Sequence, residues 1–277
     1  WNPKRRSSQH FKKNESMKVT IFSSNQPRHL SLAREFACIS EEVFLISEVN
    51  TVFPGQVDDF FRKSIIMQSY FKNVMASEKN IFGDLRFNSN KIRQLSIKLG
   101  DLNKLKYSHL KEALSSDYYV VFGSSFIKGW LIDFLIEHKA INIHMGLSPY
   151  YRGSSCNFWA LYDNNPNHVG ATIHLLSKGL DSGEILFHCV PKPYRNENLF
   201  DFTMKSVKLS HKSLVNLVDN GTIFTIPSFK QDKSQEIRYT KNKDFNDNVA
   251  DEFLKRSSKL EFDELVYPEL INPVFGS

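Results

Sequence analysis

Ala140-Ile-Asn-Ile-His-Met-Gly-Leu-Ser-Pro-Tyr-Tyr-Arg-Gly153 opens apolar and β-like, then breaks into a polar loop at His144. Asn142 and His144 stand two residues apart, so on a strand both side chains look to the same side. Pro149, Arg152 and Gly153 come next in the loop. An amide donor beside an imidazole at a strand end suits a reaction that develops charge on an oxygen and moves a proton. The next segment outward, Gly170-Ala-Thr-Ile-His-Leu-Leu-Ser-Lys-Gly-Leu-Asp-Ser-Gly-Glu-Ile-Leu186, reads as strand, loop, strand, with Asp181 between Gly179 and Gly183. Asn142, His144 and Asp181 are therefore a candidate set of amide, imidazole and carboxylate. Asp in a Gly-x-Asp-x-Gly turn is also ordinary turn chemistry. His174, seven residues before Asp181, is read as packing.

Strand-like runs at 18–23, 43–49, 94–99 and 117–122 alternate with helical patterns at 28–36, 57–82, 102–114 and up to His138. Further helices are expected at 157–163, 199–220 and 247–256. This alternation argues for an α/β fold with a mostly parallel sheet. Residues 169–176 and 185–190, joined by a short loop, are expected to form an antiparallel hairpin. In open parallel sheets ligands sit beyond the carboxyl ends of the strands, which places Gly123-Ser-Ser-Phe126 beside Asn142 and His144. The loop Ser23-Ser-Asn-Gln-Pro27 precedes a helix, where free N–H groups can hold an anion. It is not a glycine-rich dinucleotide fingerprint, and simple capping explains it equally well. Phe60, Phe61, Met67, Tyr70, Phe71, Met75 and Phe82 form a stripe of the kind that usually serves a core or a subunit interface.

The chain has 277 residues, 41% of them apolar and 24% charged, enough for one full core with an appendage. Residues 1–16 carry Lys4, Arg5, Arg6, Lys12 and Lys13 against Glu15 alone, so most of the formal charge of +6 sits there. That weakens a reading as a broad nucleic-acid binder. This polar stretch is expected to be a disordered leader or remnant ahead of a natural start at Met17. Three cysteines at 38, 156 and 189 make neither a metal spacing nor an even disulfide set, and a reduced cytoplasmic compartment is expected. No stretch approaches the roughly 20 apolar residues of a membrane helix.

Asn142-Ile-His144, Pro149, Tyr151-Arg-Gly153, Trp159-Ala160, Gly170-Ala-Thr172 and Gly179-Leu-Asp-Ser-Gly-Glu-Ile185 together resemble the signature of the folate-dependent formyltransferases, in order and without gaps. The resemblance implies a Rossmann-like, mostly parallel sheet flanked by helices. The catalytic domain would be 17–190, with a small helical and extended C-terminal subdomain at 191–277. It implies transfer of the formyl group of 10-formyltetrahydrofolate to a primary amine. Asn142 would donate to the formyl oxygen. His144 would assist proton transfer and stabilise the transition state, and Asp181 would orient it. The matching loop, Gly123, Ser124, Ser125 and Phe126, would give backbone contacts to the pterin. Tyr151, Arg152, Gly153 and Gly179 are carried over as cosubstrate-binding positions, and Arg152 could instead meet a phosphate or folate carboxylate. The chain departs from the pattern at Gly146-Leu147-Ser148, where Ser-Leu-Leu is common, and at Cys156, where Pro is common. These changes put acceptor specificity in doubt more than activity.

Acceptors in the family are methionine on initiator tRNA, a ribosyl-phosphate amide, or an amino group on a nucleotide-linked sugar. The segment from Ile223 to Arg256 lacks the strand-and-turn repeat of the tRNA enzymes' barrel, and Ser23-Ser-Asn-Gln26 is a poor match to the glycinamide enzymes' phosphate loop. By elimination a nucleotide-linked amino sugar is expected. Lipopolysaccharide or other surface-glycan biosynthesis enters by resemblance alone. The aromatics after Asn50 suggest a homodimer. The rival readings are a methionyl-tRNA formyltransferase-like enzyme, a hydrolase releasing formate, and a non-catalytic folate or sugar-nucleotide binder.

Overall fold

A computed structural model describes residues 16–49, 64–84, 86–256 and 265–276. Most of the leader, together with Phe60 and Phe61 of the aromatic stripe, lies outside the described residues. Among these residues eight strands form one sheet, in the order β10-β8-β7-β5-β4-β1-β2-β3. β1 (Lys18–Ser24), β2 (Glu42–Val49), β3 (Ile92–Lys98), β4 (Tyr118–Phe122) and β5 (Ile141–His144) are all parallel. β1 is buried along almost its whole length, as a central parallel strand covered on both faces must be. The expected hairpin is present: β7 (Ala171–Leu175) runs antiparallel to both β5 and β8 (Ile185–Pro191).

Helices cover both faces. α1 (Pro27–Ile39) starts at a proline, whose missing N–H costs nothing at a first helical position. α2 (Ile65–Phe82) begins where the Ser64 hydroxyl accepts from the Met67 N–H. Its Met67, Tyr70 and Phe82 are buried, so these three of the stripe belong to the core, while Phe71 and Met75 are half-buried. Tyr70 packs edge-on against Phe158 and Phe200, with ring centroids 5.7 and 5.3 Å away. The segment expected to be helical at 102–114 is instead broken into short turns, of which α3 (Tyr107–Leu110) is the only α-helical one among the described residues. The reason is competition for its polar groups. Asn103 Nδ2 donates to Phe126 O and its Oδ1 accepts from Lys128 N, while Leu105 O accepts from the Trp130 indole. The segment holds the 123–128 loop instead of bonding to itself.

α4 (Gly129–Glu137) comes after β4, and α5 (Cys156–Tyr162) after β6 (Tyr151–Gly153). α6 (Leu199–Asp219) is capped by Asn198, whose side chain accepts from the N–H groups of Phe200 and Asp201. Its Phe202, Val207 and Leu214 are fully buried, each contributing about 1.5–3 kcal/mol of burial. Beyond it, β9 (Arg238–Thr240) pairs with β6, α7 (Asp247–Lys255) packs near α2, and β10 (Val274–Gly276) runs parallel to β8. Neither the β6–β9 pairing nor β10 was expected from the sequence. Among the described residues no helix is long and apolar enough to cross a membrane.

Candidate active site

β5 ends at His144, and Asn142 lies level with His174 across the β5–β7 ladder. The loop after His144 is fastened by Thr172, whose hydroxyl donates to Gly146 O at 2.6 Å and accepts from Ser148 N at 2.8 Å. His188 adds a third tie. Its Nδ1 accepts from Ile271 N and its Nε2–H donates to Ser148 O, both at 2.9 Å. That arrangement fixes a neutral tautomer, and burial pushes the ring down to about 4.

Asp181 arrives from the β7–β8 loop in a left-handed conformation with φ of 44°. Its Oδ1 lies 3.4 Å from His144 Nδ1, 3.5 Å from Asn142 Nδ2 and 3.9 Å from His174 Nε2. The three side chains named from the sequence therefore meet, and His174 joins them. His174 Nδ1 faces Leu175 O at 2.8 Å, an acceptor only, so Nδ1 carries the proton. Its Nε2 lone pair then accepts from Asn142 Nδ2 at 2.9 Å. Burial lowers His174, in keeping with a neutral ring. One Asn142 N–H is thus committed to His174. The other meets Asp181 at a length easily given up to a better acceptor.

The neighbours of both His144 nitrogens can accept. Nδ1 has Asp181 and Nε2 has Tyr151 O at 3.3 Å, and the Cys156 sulfur also lies against the ring. The Cys156 thiol donates to Gly153 O at 3.5 Å, which leaves its lone pairs for the ring. Burial opposes charge on His144, but Asp181 and Cys156 outweigh it and raise the ring well above its ordinary value. Asp181, likewise buried, is held down at about 2 by His144 first, then His174 and Arg152. The resting pair is therefore imidazolium and carboxylate, and His144 presents donors at both nitrogens. Gly146 makes room for this, because a Cβ there would come within 2.4 Å of the Cys156 Cβ and 2.9 Å of His144 Nε2. The departures at 146 and 156 thus touch each other and the imidazole.

The other positions divide. Val121 is level with Asn142, so Gly123–Phe126 leave the sheet beside the site. Glu48, at the end of β2 and fully buried, holds this loop by accepting from Ser125 N and Ser125 Oγ, and it also accepts from Gly100 N. A Cβ at Gly123 would come within 2.4 Å of His29 Nε2. Tyr151 turns its side chain into the core, where the hydroxyl meets Asp163 and Asn165. Gly153 crosses Thr240 so closely that a Cβ would be 1.9 Å from the Thr240 carbonyl oxygen. Arg152 is occupied by Glu236 Oε2 at 2.8 Å and Leu180 O at 3.0 Å. Gly179 packs on Ser182, whose Oγ would lie 2.3 Å from an added Cβ. Glu48 and Tyr151 O carry no signal in the sequence, because nothing local marks either as a partner of the site. Among the described residues no cluster of His, Cys, Asp and Glu could hold a metal ion.

This combination is an α/β protein with a mostly parallel sheet, an antiparallel hairpin, and an amide, an imidazole and a carboxylate brought together at the carboxyl end of β5. The formyl transferase family model matches residues 17–218, and the chain belongs to that family. Formyltetrahydrofolate deformylase 2, mitochondrial, of Arabidopsis thaliana is 31% identical over 124 residues, covering 43% of this chain and 36% of that protein. A methionyl-tRNA formyltransferase of Thermosynechococcus vestitus is 30% identical over 128 residues, covering 46% and 37% respectively. The matched stretches thus span little more than a third of these relatives. A solved 4-N formyltransferase from Francisella tularensis shares the fold at 20% identity with a TM-score of 0.52, over 82% of this chain and 77% of that one.

Proposed function

We propose that the protein transfers the formyl group of 10-formyltetrahydrofolate to a primary amine, most specifically one on a nucleotide-linked amino sugar. The observation that carries this reading is the meeting of His144, Asn142 and Asp181 within 3.5 Å of one carboxylate oxygen at the sheet's carboxyl end. The amine nitrogen attacks the formyl carbon, and the carbonyl oxygen gathers charge. The His144 imidazolium and the Asn142 N–H held beside Asp181 donate to that oxygen. Collapse breaks the bond to the folate N10, and the proton given up by the amine ends on N10 of the departing tetrahydrofolate. His144, already protonated, serves as an electrostatic donor in this scheme and not as the base. Losing one such donor costs about 100- to 1,000-fold in rate. Gly123–Phe126 would present backbone groups to the pterin, the close approach being one that a glycine permits.

The sugar acceptor is favoured over a glycinamide one by Ser23-Ser-Asn-Gln26, a poor match to the phosphate loop of the glycinamide enzymes. A cytoplasmic setting, a place in surface-glycan synthesis and a homodimer belong to the same reading. The test is incubation with 10-formyltetrahydrofolate and a panel of amino-deoxysugar nucleotides, read by mass gain of one formyl group. No product across the panel, with initiator tRNA formylated instead, would overturn the sugar assignment. The likeness to formyltetrahydrofolate deformylases favours one second reading, hydrolysis of the same cosubstrate. Formate released at full rate without any amine would favour it.

A further inference from the structure

The loop that carries Asp181 is fixed largely from outside. Within it, Ser177 Oγ meets Ser182 Oγ at 2.9 Å and donates to Gly179 O at 3.3 Å. The carbonyls nearest the carboxylate are taken by residues distant in sequence. Leu180 O accepts from Arg152 Nη2 at 3.0 Å. Asp181 O and Gly183 O accept from the side-chain amide of Gln231, at 2.9 and 2.8 Å. Both N–H bonds of that amide are thereby spent on the loop. The Gln231 Oε1 is buried without a partner among the described residues, so the side chain is held through its amino end alone.

Both clamping residues are themselves anchored. Two residues before Gln231, Phe229 makes a reciprocal backbone pair with Ile185, at 2.8 and 2.9 Å. Ser228 Oγ donates to Glu184 Oε2 at 2.6 Å. Arg152 is gripped by Glu236 at 2.8 Å and lies over the Tyr239 ring at 5.9 Å. Asp tolerates the left-handed region better than most non-glycine residues, but its φ of 44° still costs backbone energy. The contacts from outside the loop offset that cost and fix where the carboxylate points.

We propose that Gln231, working with Arg152, is a positioning residue that holds the 180–183 loop where the Asp181 carboxylate reaches His144 Nδ1. The stretch 228–240 is then part of the reaction apparatus although it touches none of the reacting atoms. The kinetic arm of this inference rests on the formyl-transfer reading; the geometric arm does not.

Gln231→Leu keeps the bulk and removes both donors, while Gln231→Glu turns the donors into an acceptor facing two carbonyls. In both, the full-length protein should stay folded by circular dichroism. The His144 ring, tracked by NMR with labelled histidine, should titrate lower by about one unit as its carboxylate drifts away. With 10-formyltetrahydrofolate and an accepted amine, kcat should fall about tenfold or more, as misplacement of a catalytic group does. KM for the folate should be unchanged. Should either variant fail to fold, Glu236→Ala, which frees Arg152 from its anchor, should produce the same lowering of the His144 titration. A folded Gln231→Leu protein whose His144 titrates as in the wild type overturns the proposal. A wild type that transfers no formyl group to any amine overturns the functional reading instead, and the titration still decides the clamp.

Discussion

Asp181→Asn keeps the size of the side chain and removes its charge. Asp181 sits at about 2 against an ordinary 3.8. That difference corresponds to about 2 kcal/mol of preference for the charged pair. The same coupling, seen from the other side, is what lifts His144 against its burial. Without the carboxylate, burial is the largest remaining influence and only Cys156 opposes it, so the imidazole should titrate lower than in the wild type. Less of the ring would then be charged at neutral pH, which weakens its stabilisation of the transition state. The expected cost is about 100- to 1,000-fold in kcat, partly recovered as the pH is lowered and the ring reprotonates.

The stability effect has a defined window. A carboxylate with a depressed midpoint contributes above 3.8 and loses its contribution as pH falls toward 2. A histidine with a raised midpoint contributes fully below 6.5 and loses its contribution as pH rises through its folded value. The pair therefore stabilises most between 3.8 and 6.5, where Asp181→Asn should destabilise most. Histidine NMR titration, pH–rate profiles and urea melts at several pH values measure all three effects. A variant in which His144 titrates unchanged would refute the pairing, whatever happened to activity.

Three further outcomes are expected. His188 at about 4 and His211 at about 3 are buried neutral rings, so the unfolded chain protonates first. Their contribution is complete above 6.5 and is lost as pH falls. His211→Leu should flatten the acid limb of the stability curve in urea melts at successive pH values, by at most about 5 kcal/mol. Gly153→Ala would drive a methyl into Thr240 O from a backbone at φ of 91° and should cost about 2 kcal/mol or more in thermal unfolding. Gly146→Ala would crowd Cys156 and His144. It should lower kcat more than it lowers thermal stability, and equal losses in both would point to ordinary core overpacking.

The sheet and the meeting of Asn142, His144 and Asp181 were legible because each is announced over a few residues. β1, β2, β4 and β5 are short apolar runs, and the 171–191 hairpin has its loop marked by two glycines. Asn142 and His144 share a strand face, and Asp181 stands in a punctuated turn. What the sequence could not show depends on pairings across long separations. Tyr151–Gly153 has no strand signature until Arg238–Thr240 lies beside it. Val274–Gly276 becomes a strand only because β8 offers a free edge. The 102–114 segment has helical spacing, yet Asn103 and Leu105 found better partners in the loop after β4. Gln231 was illegible for the same reason, as an isolated glutamine in a polar stretch. Arg152 was visible as a candidate contact, but Glu236 and Leu180, which occupy it, are 84 and 28 residues away.

His188 joins the far end of the chain to the loop after His144 through a single ring: Ile271 on one nitrogen, Ser148 on the other. Cutting the polypeptide ahead of Leu265 would do two things at once. It would strip the neighbour from β8, leaving an unpaired strand edge of the kind that recruits other chains. It would also leave the ring free to turn over, so the carbonyl at 148 would lose its fixed donor. Proteolytic trimming at that point should therefore show up as both self-association and a loosened loop after His144, even though the nick lies far along the chain from the residues it unsettles.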